Sequence, residues 1–221
     1  DIAYEKGYFF LRMLENHVGR SKMDKFLKQY FHDHKFQTIV TEEFLEYLDQ
    51  NLLNNHAVKL NIKSWVYEPG LPDNCPEVIS SRFKNVELSI QEFLNNGASS
   101  IADQTKEWST HEWLHFLKHL PSSDIVYKSL EDLDTQFGFS NSGNSEILAV
   151  WFLQSIKVDY QPAFKPLEKF LVKIGRRKFL QPLYQELAKN KIHKQWAKKV
   201  YEKARGNYHY VSFNTIDNIL N

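Results

Sequence analysis

The sequence has a single cysteine, Cys75, and few residues that interrupt helices. One cysteine excludes an internal disulfide and any zinc site built from several cysteine ligands. Only 8 Gly and 7 Pro in 221 residues argue against an all-β chain with many tight turns. The longest apolar run, Ile147 to Leu153, is far shorter than the ~20 residues needed to cross a bilayer. These shortages predict a soluble chain with no membrane partner, and a cytoplasmic location is favoured.

Charge is distributed unevenly along the chain. Residues 1–164 carry 15 basic and 23 acidic side chains, whereas residues 165–205 carry 13 basic and 3 acidic ones. Such a basic block can attract nucleic acid. Its lysines interleave with apolar residues at helical spacing, however, which is typical of the outer faces of surface helices. We therefore expect no nucleic-acid partner.

Apolar side chains recur at helical spacing along nearly the whole chain, and no segment alternates like a strand. Ser21 is placed to cap one helix, and Ser109 or Thr110 another. The helix beginning at Ser145 is apolar almost all round, which predicts a central, buried position. Because the connections are short, successive helices are expected to pack as antiparallel pairs. The predicted class is all-α, an α-α superhelix of the α-solenoid type.

One segment cannot continue a helix. Residues 69–76 contain three prolines, which remove backbone donors and fix the chain in turn or extended conformations. We place a domain boundary there. The prediction is a small helical subdomain over residues 1–76, followed by the helical solenoid over residues 77–221.

The segment His111-Glu112-Trp113-Leu114-His115 matches the H-E-x-x-H zinc pattern, in which two histidines share a helix face with a glutamate base between them. A third ligand is normally required, and the candidate, Asp134, lies in an acidic run that is typical of a solvated helix face. The pattern has three free positions and recurs by chance. We therefore expect His111, Glu112 and His115 to bind no metal.

Four short segments resemble, in the same order and at similar spacing, those of one enzyme family. They read AYEKG at residues 3–7, WVYEPGLP at 65–72, NSEI at 144–147 and GRRKF at 175–179. The chain is similar in these segments to zinc aminopeptidases of the leukotriene A4 hydrolase type. The resemblance implies that residues 1–76 are the last part of the peptidase catalytic domain and that residues 77–221 are the C-terminal helical domain.

The resemblance also implies roles for three residues. Tyr4 matches the catalytic tyrosine, whose hydroxyl donates a hydrogen bond to the oxyanion formed when water adds to the peptide carbonyl. Arg176 and Lys178 match the pair that holds the carboxylate at the C-terminus of a peptide substrate. A planar guanidinium and a second point charge suit that group chemically.

In that family the zinc ligands and the glutamate base precede the first of these segments. The resemblance thus implies zinc as cofactor of the full-length enzyme, none bound by this chain, and a partner in the upstream catalytic domain of the same polypeptide. We expect the isolated chain to be inactive. The alternative is a free-standing α-solenoid that binds a partner protein and has no catalytic activity.

Overall fold

The computed structural model describes residues 2–54, 59–121 and 126–221. All regular secondary structure in these ranges is helical, which confirms the all-α prediction. The chain divides into two compact units, Asp1–Ile79 and Ser80–Asn221. The division after Ile79 lies three residues beyond the boundary predicted after residue 76. None of the helices in these ranges combines the length and the hydropathy needed to cross a membrane.

The described residues of the first unit form four α-helices and two π-helical turns. The turn Ile2–Lys6 runs directly into α1, and the turn Asp49–Leu53 follows α3. The helices are α1 (Gly7–Val18), α2 (Arg20–Asp33), α3 (Thr41–Leu48) and α4 (Ile62–Tyr67). Their apolar faces bury a core of their own, in which the rings of Phe10 and Trp65 lie 5.9 Å apart.

In the part of the second unit that the structure describes, the chain forms eight α-helices. They are α5 (Ser81–Asn96), α6 (Thr110–His119), α7 (Tyr127–Phe137), α8 (Ser145–Lys157), α9 (Phe164–Lys173), α10 (Arg177–Ala188), α11 (Lys191–Ala204) and α12 (Tyr210–Leu220). Helices α6, α8, α10 and α12 pack side by side in that order, and α9 packs on α11. Packing between alternate helices is the layered arrangement of a helical solenoid.

Helix α8 lies at the centre of the second unit. Trp151 and Phe152 are fully buried, and Gln154 donates a hydrogen bond from Nε2 to the carbonyl of Leu117 on α6 at 3.0 Å. This confirms the buried position predicted from its continuous apolar surface.

The predicted cap at Ser21 is wrong. Helix α2 begins at Arg20, directly after Gly19, whose φ of 85° places it in a region that favours glycine. The chain turns sharply at Gly19, and the amide of Met23 donates to the carbonyl of Gly19 at 3.1 Å. Ser21 therefore lies inside the first helical turn, where its side chain cannot occupy the capping position.

Candidate functional site

Tyr4 lies in the π-helical turn that precedes α1, and its side chain is 79% exposed. Its neighbour Lys6 is buried. The Lys6 ammonium donates hydrogen bonds to the carbonyls of Ser64 at 3.2 Å and Glu68 at 2.5 Å. These carbonyls lie in and just after α4, where a cation complements the partial negative charge of a helix C-terminus. Lys6 thus fastens the turn that carries Tyr4 to the end of α4.

This contact joins two of the four motif segments. Lys6 belongs to AYEKG, while Ser64 precedes WVYEPGLP and Glu68 lies within it. Sequence reasoning named Tyr4 and missed Lys6, because nothing in a local pattern distinguishes a buried lysine from a solvated one. The signal that the sequence did offer was that AYEKG and WVYEPGLP occur in the same order as in the resembled family.

Arg176 and Lys178 lie at the start of α10, Arg176 as the residue before its first turn. Both side chains are exposed. The Arg176 guanidinium carbon lies 5.6 Å, and the Lys178 ammonium 5.3 Å, from the centroid of the Phe179 ring. Cations at these distances are attracted by an aromatic face. One largely buried ring therefore anchors both predicted substrate-binding residues.

Lys178 has a second partner that sequence reasoning missed. Its ammonium donates to both carboxylate oxygens of Glu146, at 2.6 and 2.8 Å. Glu146 lies in the first turn of α8, within the segment NSEI, whereas Lys178 lies within GRRKF. The other two motif segments are therefore also in direct contact.

Several contacts gather the beginnings of alternate helices at one edge of the second unit. Asn144 Oδ1 accepts from the amide of Glu146 at 2.9 Å and caps α8, and its Nδ2 donates to Thr110 Oγ1 at 3.0 Å at the start of α6. Ser212, in the first turn of α12, donates from Oγ to the carbonyl of Gly175 at 2.8 Å. Helix N-termini carry partial positive charge, so this edge suits an anion such as a carboxylate.

Gly175, the first residue of GRRKF, is required by close backbone packing. A Cβ placed there would lie 3.2 Å from the carbonyl oxygen of Asn207 and 3.8 Å from the Cα of Tyr208. The side-chain-free backbone lets the segment before α12 approach the start of α10.

Glu112, the middle residue of the H-E-x-x-H match, is buried and fully engaged. Arg82 donates from Nε to Oε1 at 2.9 Å and from Nη2 to Oε2 at 2.7 Å. The amide and hydroxyl of Ser109 donate to Oε2 at 2.9 and 2.8 Å. Burial by itself raises the pKa of this carboxyl, but these hydrogen bonds outweigh burial and hold the pKa below its ordinary value of 4.5. Glu112 therefore caps α6 and links it to α5.

The two histidines of the match have different surroundings. His111 is exposed, whereas the ring of His115 stacks between Phe83 and His119, with centroid distances of 4.3 and 3.9 Å. The His115 Nε2 lies 3.2 Å from a carboxylate oxygen of Glu87. In the described ranges, the structure contains no group of three or more His, Cys, Asp or Glu side chains arranged to hold a metal ion.

In the acidic run of α7, Glu131 and Asp132 are exposed, whereas Asp134 is half-buried. Asp134 accepts from the amide and hydroxyl of Ser140, at 2.8 and 2.6 Å, and from the Tyr160 hydroxyl at 3.2 Å. Asp132 accepts from the amide of Ala98 at 2.6 Å. The pKa of the Tyr160 hydroxyl is raised, mainly by burial and next by the negative charge of Asp134. Asp134 thus holds the turn after α7, and Asp132 the segment after α5.

Part of the basic block over residues 165–205 is engaged within the chain. Lys189 pairs with Glu186, and Lys203 with Glu168, each at 2.7 Å. Such exposed pairs contribute little to stability. They do agree with the interpretation of these lysines as outer helix faces, and the absence of a nucleic-acid partner stays a prediction.

Comparison with known proteins places the chain in one family. Residues 108–220 match the family described as leukotriene A4 hydrolase, C-terminal, and residues 1–67 match the peptidase family M1 domain. Leucine aminopeptidase 2 of Aspergillus fumigatus is 30% identical over 218 residues, which is 94% of this chain and 35% of that protein. Leucine aminopeptidase 2 of Yarrowia lipolytica is 27% identical, over 94% of this chain and 34% of that protein.

Solved structures agree with this assignment at the level of the fold. A structure of yeast LTA4 hydrolase in complex with bestatin superposes with a TM-score of 0.85 at 22% identity, over 98% of this chain and 39% of that one. Native leukotriene A4 hydrolase from Saccharomyces cerevisiae gives a TM-score of 0.82, also at 22% identity, over 98% of this chain and 38% of that one. The chain thus spans about a third of the length of the curated relatives that it matches. It belongs to the leukotriene A4 hydrolase family of M1 peptidases.

Proposed function

We propose that this chain is the C-terminal portion of a zinc-dependent aminopeptidase that hydrolyses N-terminal residues from peptides. The observation that carries the proposal is the pairwise contact of the four family segments, through Lys6 in one unit and Lys178 in the other. In this proposal residues 1–76 belong to the peptidase domain and residues 77–221 form the C-terminal helical domain. The family matches over residues 1–67 and 108–220 support this division.

Tyr4 is the proposed catalytic residue. Its role is to donate a hydrogen bond to the oxyanion that forms as water adds to the scissile carbonyl. Such a donor stabilises charge that is present only in the transition state. The exposure of its side chain and the fastening of its turn by buried Lys6 support the proposal, because a donor must be both accessible and held in place.

Arg176 and Lys178 are the proposed anchor for the C-terminal carboxylate of the peptide. A guanidinium can donate two parallel hydrogen bonds to a carboxylate, and the neighbouring helix beginnings add favourable partial charge. Exposure of both side chains beside a fixed aromatic ring supports this role.

The zinc ion of the family does not fit the described part of this chain. Glu112 is committed to Arg82 and Ser109, and no suitable ligand group occurs among the described residues. We therefore assign the metal ligands and the general base to other parts of the full-length enzyme. His111, Glu112 and His115 remain a predicted chance match, and the isolated chain is proposed to be inactive.

A hybrid enzyme tests the proposal. The region of Aspergillus fumigatus leucine aminopeptidase 2 that aligns with this chain would be replaced by residues 1–221, and hydrolysis of leucine p-nitroanilide would be followed. We expect an active, zinc-dependent hybrid in which Tyr4→Phe lowers kcat by about 10²- to 10³-fold, the usual cost of removing one oxyanion donor. KM should change little, because the hydrogen bond forms only in the transition state.

Tyr8→Phe is the matched control, since Tyr8 is also exposed and lies one turn further along the chain. It should leave kcat unchanged. A folded, zinc-loaded hybrid that hydrolyses nothing would contradict the proposed function and favour the alternative of a binding module. Equal kcat values for Tyr4→Phe and the parent hybrid would contradict the role of Tyr4 alone.

A further inference from the structure

We propose that Glu146 is a positioning residue that tunes the carboxylate anchor by neutralising Lys178, so that Arg176 supplies the free positive charge. This inference rests on the proposed role of Arg176 and Lys178 as a carboxylate site. It adds that the two cations are not equivalent and that a residue on another helix sets the strength of the site.

The geometry of the ion pair is the first argument. Lys178 reaches from α10 to α8 and donates to both oxygens of Glu146, at 2.6 and 2.8 Å. The Lys178 side chain is 56% exposed and that of Glu146 is 35% exposed, so a ligand can approach the pair from solvent. A carboxylate binding there has to compete with Glu146 for the ammonium.

Arg176 stands in a different position. Within the described ranges, no carboxylate forms an ion pair or hydrogen bond with its guanidinium. Its guanidinium carbon lies 5.6 Å from the centroid of the Phe179 ring. That ring is 7% exposed and lies 6.1 Å from the Phe170 ring, so it is a fixed platform. The planar fork of Arg176 is therefore held beside the same ring that Lys178 contacts, with its donors available.

The charges of the cluster follow from these contacts. Arg176 and Lys178 each contribute a formal positive charge and Glu146 a formal negative charge, so the cluster has a formal net charge of +1. This balance matches a ligand with a single carboxylate, such as the C-terminus of a peptide. Removing the charge of Glu146 releases the Lys178 ammonium, and the attraction for an anion increases.

The test is binding of an N-acetylated tripeptide of alanine with a free C-terminal carboxylate, compared with its C-terminal amide, to the 221-residue chain by titration calorimetry. We expect the free acid to bind the Glu146→Gln variant about fivefold more tightly than the unmodified chain. This is the range expected when one exposed charge pair is exchanged for another. The amide should bind both proteins equally weakly. Arg176→Ala should lose most of the preference for the acid.

Two substitutions serve as matched controls. Glu168→Gln breaks a comparable surface pair with Lys203, at 2.7 Å, on helices α9 and α11. Arg177→Ala removes the same charge as Arg176→Ala from an exposed neighbouring position. Neither should change the preference for the acid by more than about twofold, as expected for a solvent-screened charge outside the site. Circular dichroism at each step establishes that the variants retain their helices.

The outcomes separate this inference from the proposed function. If the acid binds through Arg176 but Glu146→Gln binds it no more tightly, the inference is wrong and the anchor stands. If Arg176→Ala and the unmodified chain prefer the acid equally, the anchor itself is wrong. If no variant distinguishes acid from amide, both are wrong. A merely structural Glu146 would weaken binding when changed, whereas the inference requires stronger binding, also in a folded Glu146→Ala variant. Because the assay needs no hydrolysis, it is independent of the activity of a hybrid enzyme.

Discussion

At the scale of single residues, Lys6 determines how the turn bearing Tyr4 is held. Its ammonium donates hydrogen bonds to the carbonyls of Ser64 and Glu68, and the Lys6 side chain is buried from most water. We expect Lys6→Met, which keeps the length of the side chain, to lower the free energy of unfolding by about 2 kcal/mol. That is the typical cost of losing hydrogen bonds to a charged group while leaving buried acceptors without a donor. Urea denaturation followed by tryptophan fluorescence measures the change.

Lys63→Met is the control, because Lys63 is an exposed lysine on α4, the helix that Lys6 contacts. Equal denaturation midpoints for the two variants would show that the buried ammonium contributes nothing beyond its apolar stem.

The sequence identified the segment containing Lys6 through its resemblance to a family, but not the role of the lysine. That role depends on carbonyls about sixty positions away, which no local pattern encodes. The same applies to the pairing of Glu146 with Lys178.

At the scale of helices, the period of the apolar residues was informative and the ends were less so. The helix that begins at Ser145 is buried as its continuous apolar surface predicts. The periodicity succeeds because each helix must turn an apolar stripe toward a core. Caps depend instead on the local backbone, which is why Ser21 was misassigned. Ser109 was one of two candidates, and its partner Glu112 decides between them.

The link between α5 and α6 predicts a pH dependence. The pKa of Glu112 is lowered in the folded state, so the Glu112–Arg82 pair contributes stability that is fully present above the unfolded value of about 4.5. This contribution is lost as the pH falls from 4.5 through the lower folded pKa. We expect Glu112→Gln to be about 2 kcal/mol less stable at pH 7 and to lose less further stability on acidification than the unmodified chain.

Thermal unfolding monitored by circular dichroism between pH 7 and pH 3 checks this, with the exposed Glu107→Gln as control. Parallel pH profiles for the unmodified chain and Glu112→Gln would contradict the assigned role of the carboxylate.

A helix cap and a metalloprotease base both require glutamate at this spacing, and the sequence alone does not distinguish them. The bidentate contact with Arg82 favours the cap, because it occupies the oxygens that a base would need.

At the scale of the whole molecule, the chain carries a proposed catalytic tyrosine and a proposed substrate anchor, and the residues that the structure describes form no group suited to a metal ion. We expect the purified chain, dialysed against excess zinc and then against buffer, to retain a zinc-to-protein ratio near zero and to release no leucine from leucine p-nitroanilide. The physical reason is that two histidines with an engaged glutamate offer too few free ligands for a stable zinc site. Atomic absorption measures the ratio directly.

A ratio near one that His111→Ala abolishes would overturn this prediction. It would make α6 a metal-binding helix, and Glu112 would then have to exchange Arg82 for a role beside the ion, which the pH profile above would also register. A ratio near zero combined with an active hybrid enzyme would lead to the opposite conclusion. This chain would then bind the substrate and position one hydrogen-bond donor, while the metal chemistry would depend on residues that this chain does not contribute. The two measurements together therefore assign binding and catalysis to different parts of one enzyme.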